Sequence, residues 1–370
     1  TKMTKNFSDQ QSVVTKFGFL EVPLNFSLNM NGVIKVGLFI GHIMTRKGIT
    51  WMVGSCTIIK SIGKYESTGS LCFNQVACIK LRIPGISMKK ALTRLFLLIV
   101  PGVFLLSSCS SVFYYPNKER LYYDPKAVGY APEDIYFTDT AQRKLHGWWF
   151  SAKESPAKAT IIFFHGNAEN LTSHYLNLAW ITAEGYNLFI FDYPGYGLSE
   201  GEPTPKSCLE SGYAALDWVV KNKFQEAPII IYGQSMGGIV ALRTAIDKKS
   251  DVNLKLVVVD STFESFQRIA RVKLSHNWFT WPMQPLSYAL LSDHWAPANL
   301  KSISPIPVLV IHGQKDVVVE PELGEKVFEQ LAEPKTFWRI PDGAHTDVFW
   351  RHDRKYRAAF LLFLENLDTP

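Results

Sequence analysis

Short apolar runs alternate with longer amphipathic stretches along most of the chain after residue 133. Continuous apolar runs of about four to eight residues are typical of strands buried on both faces, whereas apolar residues at every third or fourth position are typical of helices. The runs predict eight strands: 134–137, 144–150, 160–164, 187–191, 228–232, 254–259, 307–311 and 336–340. The periodic stretches predict five helices: 171–184, one that begins near Thr204, 237–248, 321–331 and 353–367. This alternation predicts an α/β fold with a mostly parallel sheet covered on both faces.

Residues 262–300 interrupt the alternation of strands and helices. The segment is rich in large apolar side chains: Phe263, Phe266, Trp278, Phe279, Trp281, Met283, Tyr288, Leu290, Leu291 and Trp295. We expect one or two short helices that lie over the edge of the sheet. Two interpretations stay open: the segment is a lid over an acyl or aromatic pocket, or its aromatic side chains simply pack on the sheet.

The first 87 residues differ from the rest of the chain. They show no sustained period and contain 10 Lys or Arg but only 3 Asp or Glu. Our hypothesis is that Met88 is the true start and that residues 1–87 are an upstream extension without function. The alternative is a genuine N-terminal domain. Intact mass of the natively expressed protein distinguishes the two, because a product that begins before Met88 contradicts the hypothesis.

Residues 88–108 have the features of an export signal. Three basic residues precede a 12-residue apolar run at 95–106. This run is shorter than the roughly 20 residues that a membrane span needs, and small residues follow it. The sequence Leu-Ser-Ser-Cys that ends at Cys109 resembles a bacterial lipoprotein lipobox. The resemblance implies cleavage before Cys109 and a lipid on its thiol.

Residues 109–133 are then predicted to be an anchor and linker. Ser110 stands where Asp favours retention in the inner membrane, so the outer membrane is the expected location. The alternative is an uncleaved membrane anchor. Both interpretations place the rest of the chain in the bacterial cell envelope, outside the cytoplasm.

The distribution of charge excludes a nucleic-acid partner for the main domain. The chain carries +6 in total, but residues 109–370 hold 26 basic and 30 acidic residues and therefore carry −4. A polyanion has no electrostatic support there. Five Cys in 370 residues are too few for a disulfide scaffold. Neither a metal nor an organic cofactor is predicted, because no His/Cys cluster has ligand spacing and no phosphate-binding loop is present.

The sequence Gly233-Gln234-Ser235-Met236-Gly237 follows an apolar strand directly and opens a helix. This is the context of a nucleophile elbow, in which a sharp strand-to-helix turn exposes the serine hydroxyl. Glycines on both sides of the serine remove the Cβ atoms that would collide in such a turn. We therefore predict Ser235 as the nucleophile.

A serine hydroxyl needs a base, and an acid that orients it. In Ser-Asp-His chain order the base comes last, which selects His345 in the loop after the last predicted strand; His352 is its nearest rival. The acid is expected after the preceding strand, where Asp316 lies five residues beyond Ile311. Asp260 is the alternative acid.

Stabilisation of an oxyanion needs two backbone donors. One is predicted to be the N–H of Met236, directly after the nucleophile. The other is expected in the loop after the strand at 160–164, and we select the N–H of Asn167.

Five motifs in this order resemble the α/β-hydrolase superfamily. They are His-Gly-Asn-Ala at 165–168, Phe-Asp-Tyr-Pro-Gly-Tyr-Gly-Leu-Ser at 191–199, the elbow at 233–238, His-Gly-Gln-Lys-Asp at 312–316 and Gly-Ala-His at 343–345. The branch it most resembles contains serine aminopeptidase-like and depalmitoylase-like hydrolases, with esterase, thioesterase and peptidase activities. The resemblance implies an eight-stranded, mostly parallel sheet over residues 134–370, with Ser235, Asp316 and His345 as a triad. Glu169 departs from the usual Gly of the branch and adds a carboxylate near the site.

The expected activity is hydrolysis of a small carboxyl ester or thioester through an acyl-enzyme, with the membrane contacted through the lipid anchor. A peptidase or amidase of the same fold is one alternative. The other is a non-catalytic envelope lipoprotein that uses the fold for interaction.

Overall fold

The computed structural model describes two units of the chain, Thr1–Leu98 and Ile99–Pro370. In the first unit it describes the backbone of 17–25, 32–45, 48–61 and 77–79, and in the second it describes 114–223, 227–351 and 354–367. The predicted signal peptide at 88–108, the lipidation site Cys109 and the rival base His352 lie outside the described residues.

The first unit contains an antiparallel sheet in the order β1-β2-β3-β4. Its strands are β1 Phe17–Asn25, β2 Gly32–Thr45, β3 Gly48–Ser61 and β4 Ala77–Ile79. The sequence pattern does not predict these strands, and the interpretation of residues 1–87 as an extension stays a prediction.

The second unit contains the sheet expected from the eight apolar runs. Its strands are β6 Glu133–Thr138, β7 Lys144–Phe150, β8 Ala159–Phe164, β10 Tyr186–Phe191, β11 Ile229–Gln234, β12 Leu254–Asp260, β13 Val308–Gly313 and β14 Lys335–Ile340. A separate two-stranded parallel sheet joins β5 Tyr115–Pro116 to β9 Ala168–Glu169.

The order of the large sheet is β14-β13-β12-β11-β8-β10-β7-β6. Only the pairs β6–β7 and β7–β10 are antiparallel, and the other five are parallel. The prediction of an eight-stranded, mostly parallel sheet is confirmed. Parallel strands end at the same edge of a sheet, so the loops after β8, β11, β12, β13 and β14 meet there.

Seven α-helices are found among the described residues. They are α1 Leu171–His174, α2 Pro205–Asn222, α3 Met236–Lys248, α4 Phe266–Ser275, α5 Leu286–Leu290, α6 Pro321–Gln330 and α7 Lys355–Asn366. α2 begins as its sequence indicates: Thr204 caps it through the N–H of Ser207, and Pro205 occupies its first turn. No helix in the described ranges is both long and apolar enough to cross a membrane.

The prediction of one helix over 171–184 is wrong. α1 is followed by two short 3₁₀ helices, Tyr175–Asn177 and Ala179–Glu184, which are separated at Leu178. Side-chain donors here take up backbone carbonyls: Thr182 Oγ1 donates to Ala179 O at 2.8 Å, and Trp180 Nε1 donates to Asn177 O at 2.9 Å. Such local bonds compete with a continuous α-helical ladder.

The core has two layers, one on each face of the sheet. In β8, Ile162 and Phe164 belong to one layer, and Ile161 and Phe163 to the other. Successive side chains of a strand point to opposite faces, so a run that is buried on both faces must be apolar throughout. Each fully buried side chain of this size contributes about 1.5–3 kcal/mol of transfer free energy.

Residues 262–300 form the short helices that were expected. They contain α4 and α5, with the 3₁₀ helix Trp281–Met283 between them. Ser265 caps α4 by accepting from the N–H of Arg268. Phe263 and Phe266 are buried in the core.

Candidate active site

Ser235 lies in a strained turn between β11 and α3. Its backbone has φ 53° and ψ −122°, a conformation that is costly for a residue with a side chain and that clusters at functional sites. A Cβ added at Gly237 would lie 2.0 Å from the carbonyl oxygen of Phe164 and 2.4 Å from that of His165. Only glycine fits there, so the start of α3 packs directly on the end of β8.

The backbone of Ser235 is held on both sides. Its N–H donates to Asp260 O at 2.9 Å, and its carbonyl accepts from Thr262 Oγ1 at 2.7 Å and from the N–H of Gly238 at 2.9 Å. The serine is 7% exposed. The N-terminus of α3 favours negative charge at this point.

The structure brings Asp316 and His345 together. His345 Nδ1 lies 2.8 Å from Asp316 Oδ2, while Asp316 Oδ1 accepts from the N–H groups of Val318 and Val319 at 2.8 and 2.9 Å. Burial alone would raise the pKa of Asp316, but the bonds from His345 and these two N–H groups outweigh burial and lower it. Asp316 therefore stays ionised and presents one oxygen to the imidazole.

The His345 loop is attached to the neighbouring strand ends. Lys315 N–H donates to Gly343 O at 2.8 Å, and Thr346 N–H donates to Ser261 Oγ at 3.2 Å. Ser261 directly follows Asp260, whose carbonyl holds Ser235. The three predicted triad residues thus follow β11, β13 and β14 at one edge of the sheet.

Asp260, the alternative acid, is hydrogen-bonded to residues other than His345. Its carboxylate accepts from Tyr232 OH, Gln234 Nε2 and Ser261 Oγ, each at 3.2 Å. Burial raises the pKa of Asp260 to about 6, in spite of these bonds and of the nearby His345. It supports the floor of the elbow, whereas His345 is hydrogen-bonded to Asp316.

The two predicted oxyanion donors belong to segments that meet at Ser235. Met236 is the first residue of α3, and Asn167 lies within residues 165–169, which follow β8, include β9 and are called here the oxyanion loop. A Cβ added at Gly166 would lie 3.7 Å from Ser235 Cβ, so this loop and the elbow are in contact.

Asp192 supports the oxyanion loop and was not selected from the sequence. Its Oδ1 accepts from the N–H of Leu171 at 2.7 Å and lies 3.4 Å from His165 Nε2. Burial would raise the pKa of Asp192, but the neighbouring His146 and His165 lower it. The motif Asp-Tyr-Pro-Gly-Tyr-Gly at 192–197 was the available signal, although its spacing does not reveal these partners.

No group of three or more His, Cys, Asp or Glu side chains with metal-binding geometry occurs in the part of the chain that the structure describes. A cavity of about 200 Å³ has five of its seven lining residues in 262–300, and neither a triad residue nor a predicted oxyanion donor lines it. It is lined by Tyr114, Pro205, Phe266, Leu290, Leu291, Ser292 and Trp295.

Comparisons with known proteins agree with this fold. Residues 155–292 match the family described as serine aminopeptidase, S33 (Hydrolase_4). An uncharacterized Escherichia coli K12 protein, YfhR, is 32% identical over 299 residues, which cover 79% of this chain and 98% of that protein. The α/β-hydrolase domain-containing protein WAV2 of Arabidopsis thaliana is 27% identical and covers 72% of this chain and 91% of its own length. The structure of the Pyrococcus furiosus esterase Pf2001 superimposes with a TM-score of 0.55 at 22% identity, covering 69% of this chain and 98% of that one.

Proposed function

Because this chain belongs to the serine aminopeptidase S33 (Hydrolase_4) family of α/β-hydrolases, we propose that it is a serine hydrolase with Ser235, Asp316 and His345 as its catalytic triad. The observation that carries the proposal is the hydrogen bond of 2.8 Å between His345 Nδ1 and Asp316 Oδ2, at the same sheet edge as the strained serine. This bond leaves Nε2 of the imidazole as the nitrogen that can take a proton.

In the proposed reaction, His345 Nε2 removes the proton of Ser235 Oγ as the oxygen attacks a substrate carbonyl. The ionised Asp316 stabilises the imidazolium that forms. The N–H groups of Met236 and Asn167 donate to the oxyanion, aided by the N-terminus of α3. His345 then gives its proton to the leaving group, and water repeats the sequence to release the acyl group and restore Ser235.

The substrate proposed first is a small carboxyl ester or thioester. Its support is the likeness of the fold to the Pyrococcus furiosus esterase Pf2001. The family description favours a second candidate, a peptidase or amidase. A screen of acyl esters against aminoacyl amides separates the two by their kcat/KM values.

We also propose attachment to the outer membrane through a lipid on Cys109, after removal of residues 88–108. The support is the sequence of the signal and lipobox. Metabolic labelling with a fatty-acid analogue tests this, because Cys109→Ala should abolish the label. A label that persists in this variant contradicts the proposal.

The activity is tested by labelling the detergent-extracted full chain with a fluorophosphonate. We expect the parent to be labelled and both Ser235→Ala and His345→Ala to lose the label. A folded parent that is not labelled contradicts the proposed activity and favours the non-catalytic interaction protein.

A further inference from the structure

We propose that residues 114–117, here called the arm, are a positioning element that holds the oxyanion loop in its working conformation. This inference rests on the proposed function, since it assigns a role in the same site. The arm falls within 109–133, the stretch expected from the sequence to be an anchor and linker.

The arm pairs with the oxyanion loop through backbone hydrogen bonds. The N–H of Tyr115 donates to Asn167 O at 2.9 Å, and the N–H of Asn117 donates to Glu169 O at 2.9 Å. These bonds form the parallel pair of β5 and β9. The side chain of Tyr115 is 61% exposed, so its contribution to the pairing comes from the backbone.

The arm is itself fixed to the body of the unit. Tyr114 is buried in the core beside Tyr193, Tyr196 and Cys208. The carbonyl of Asn117 accepts from the N–H of Gly197 at 3.1 Å and from Asn170 Nδ2 at 3.0 Å. A flexible linker would not make such contacts. Because the arm is fixed to the body of the unit, its hydrogen bonds also fix the position of the oxyanion loop.

Each carbonyl of the oxyanion loop has a donor. That of His165 accepts from Tyr193 OH at 3.0 Å, that of Gly166 from the His165 ring at 2.7 Å, and that of Ala168 from His174 Nε2 at 3.0 Å. The arm supplies the donor to Glu169 and, together with Tyr196 OH at 2.7 Å, a donor to Asn167. The Asn167 N–H belongs to the Gly166–Asn167 peptide plane, which the His165 ring holds, and the arm holds the next plane, on the other side of the Asn167 Cα atom.

Glu169 shows why the loop needs this support. Its φ is 65°, in the left-handed region that costs a residue with a side chain about 1–3 kcal/mol unless the surroundings enforce it. The bond from the N–H of Asn117 fixes the carbonyl of this strained residue. Without it we expect the loop to relax and displace the Asn167 N–H, which acts mainly on the transition state.

The test compares Tyr115→Pro with Tyr115→Ala in the full chain. Proline removes the N–H donor to Asn167 O, whereas alanine keeps it and removes only an exposed ring. We expect Tyr115→Pro to lower kcat by about 10- to 100-fold, with KM changed less than about threefold, because one oxyanion donor contributes about 10²–10³ in kcat. Tyr115→Ala should retain kcat within about twofold.

Asn117→Pro and Asn117→Ala form a second pair, which removes or keeps the donor to Glu169 O. This pair decides the question if Tyr115→Pro does not fold. Final fluorophosphonate labelling, read at completion, gives the fraction of intact sites in each variant. A proline variant that is fully labelled and keeps the parental kcat overturns the proposal. A proline variant whose kcat falls only in proportion to its fraction of labelled sites overturns it as well, because its intact sites are then as active as those of the parent. A parent that hydrolyses no ester or amide and is not labelled indicates instead that the proposed function is wrong.

Discussion

The oxyanion loop and the segment 274–292 use their side chains in opposite ways. In the loop, each carbonyl is hydrogen-bonded and the aromatic rings of Tyr193 and Tyr196 are buried against it. In 274–292, Trp278 is 75% exposed and Phe279 is 68% exposed. The first region has its backbone fixed by hydrogen bonds, whereas the second exposes large apolar side chains.

The charges around the exposed segment sharpen this difference. Residues 274–292 contain no Asp, Glu, Lys or Arg. Of the three cations just before them, Arg268 pairs with Glu264, and Lys273 Nζ lies 2.6 Å from Glu320 Oε1. Arg271 lies 4.4 Å from the ring centre of Tyr288, and its buried Nη1 has no hydrogen-bond partner among the described residues. The stretch 274–292 itself therefore offers uncharged and mostly apolar side chains.

The largest effect on activity is expected at Asp316, which is hydrogen-bonded to His345. In Asp316→Asn, the amide Nδ2 donates to His345 Nδ1 and forces the imidazole into the wrong tautomer. We expect kcat to fall by about 10³–10⁴, as the loss of a triad carboxylate does in serine proteases. Steady-state kinetics on the best ester from the screen measures it.

Asp342→Asn is the matched control for this substitution. It removes one carboxylate three residues before His345 and, with it, an ion pair to Arg351 at 3.8 Å. Its kcat should stay within about twofold of the parent. Equal losses in the two variants would show that the His345 loop responds to general charge rather than to Asp316.

The next largest effect, on both stability and kcat, is expected from a substitution where the elbow packs on the end of β8 and the oxyanion loop. Gly237→Ala pushes a methyl group into the carbonyls of Phe164 and His165, at 2.0 and 2.4 Å. We expect the free energy of unfolding to fall by about 1–3 kcal/mol and kcat to fall with it, because backbone must move. Denaturant unfolding and kinetics are the two measurements.

Gly166→Ala is the control at the same site. Its added Cβ meets only ordinary contacts, 3.4 Å from His174 Cε1 and 3.7 Å from Ser235 Cβ. Stability should change by less than about 0.5 kcal/mol. If Gly237→Ala behaves in the same way, the proposed tight contact between elbow and loop is wrong.

The central strands were predictable because they are buried on both faces. In the run 160–164 only Thr160 is polar, and β11 and β13 contain no Asp, Glu, Lys or Arg, whereas the edge strand β14 contains the exposed Arg339. The order of the candidate triad along the chain was also predictable, since Asp316 and His345 each follow an apolar run. The strands of the sheet and the residues that follow them at its edge could therefore be predicted from the sequence.

The broken helix and the arm were not predictable in the same way. Apolar spacing over 171–184 fits an α-helix and a series of 3₁₀ turns equally well, and side-chain bonds from Thr182 and Trp180 decide between them. The arm acts through the backbone N–H groups of Tyr115 and Asn117, which every residue except proline possesses. Backbone pairing between 115–117 and 167–169 therefore cannot be recognised from the types of residue in either segment.

A smaller effect is expected from a change of pH, which alters the free energy of unfolding through His174. Burial lowers the pKa of His174, whose Nε2 donates to Ala168 O in the oxyanion loop, to about 3. The unfolded chain binds this proton near pH 6.5, so it holds more protons than the folded one between about pH 3 and 6.5. Stability is then lost as pH falls through this window, by up to about 1.4 kcal/mol per pH unit.

Urea unfolding of His174→Gln at pH 7.5 and pH 5.0 checks this. The variant should lose less stability than the parent on acidification, although His312, whose pKa burial also lowers, keeps part of the slope. His294→Gln, a change at an exposed position, is the control. A slope for His174→Gln as steep as that of the parent would contradict a His174 that is neutral in the folded protein.

The smallest effect on stability is expected in the exposed segment. The double variant Trp278→Ser, Trp281→Ser removes two rings that are 75% and 60% exposed, so the free energy of unfolding should change by less than about 0.5 kcal/mol. The kcat on a short ester should not change, because the triad and oxyanion loop are untouched. If the segment covers an acyl chain, kcat/KM on a long-chain ester should fall by about 3- to 10-fold, since part of the chain's apolar contact is lost. Leu362→Ser, on the exposed face of α7, is the control and should leave kcat/KM on both esters unchanged. If the double variant loses kcat/KM equally on the short and the long ester, the segment supports the site and does not cover the substrate.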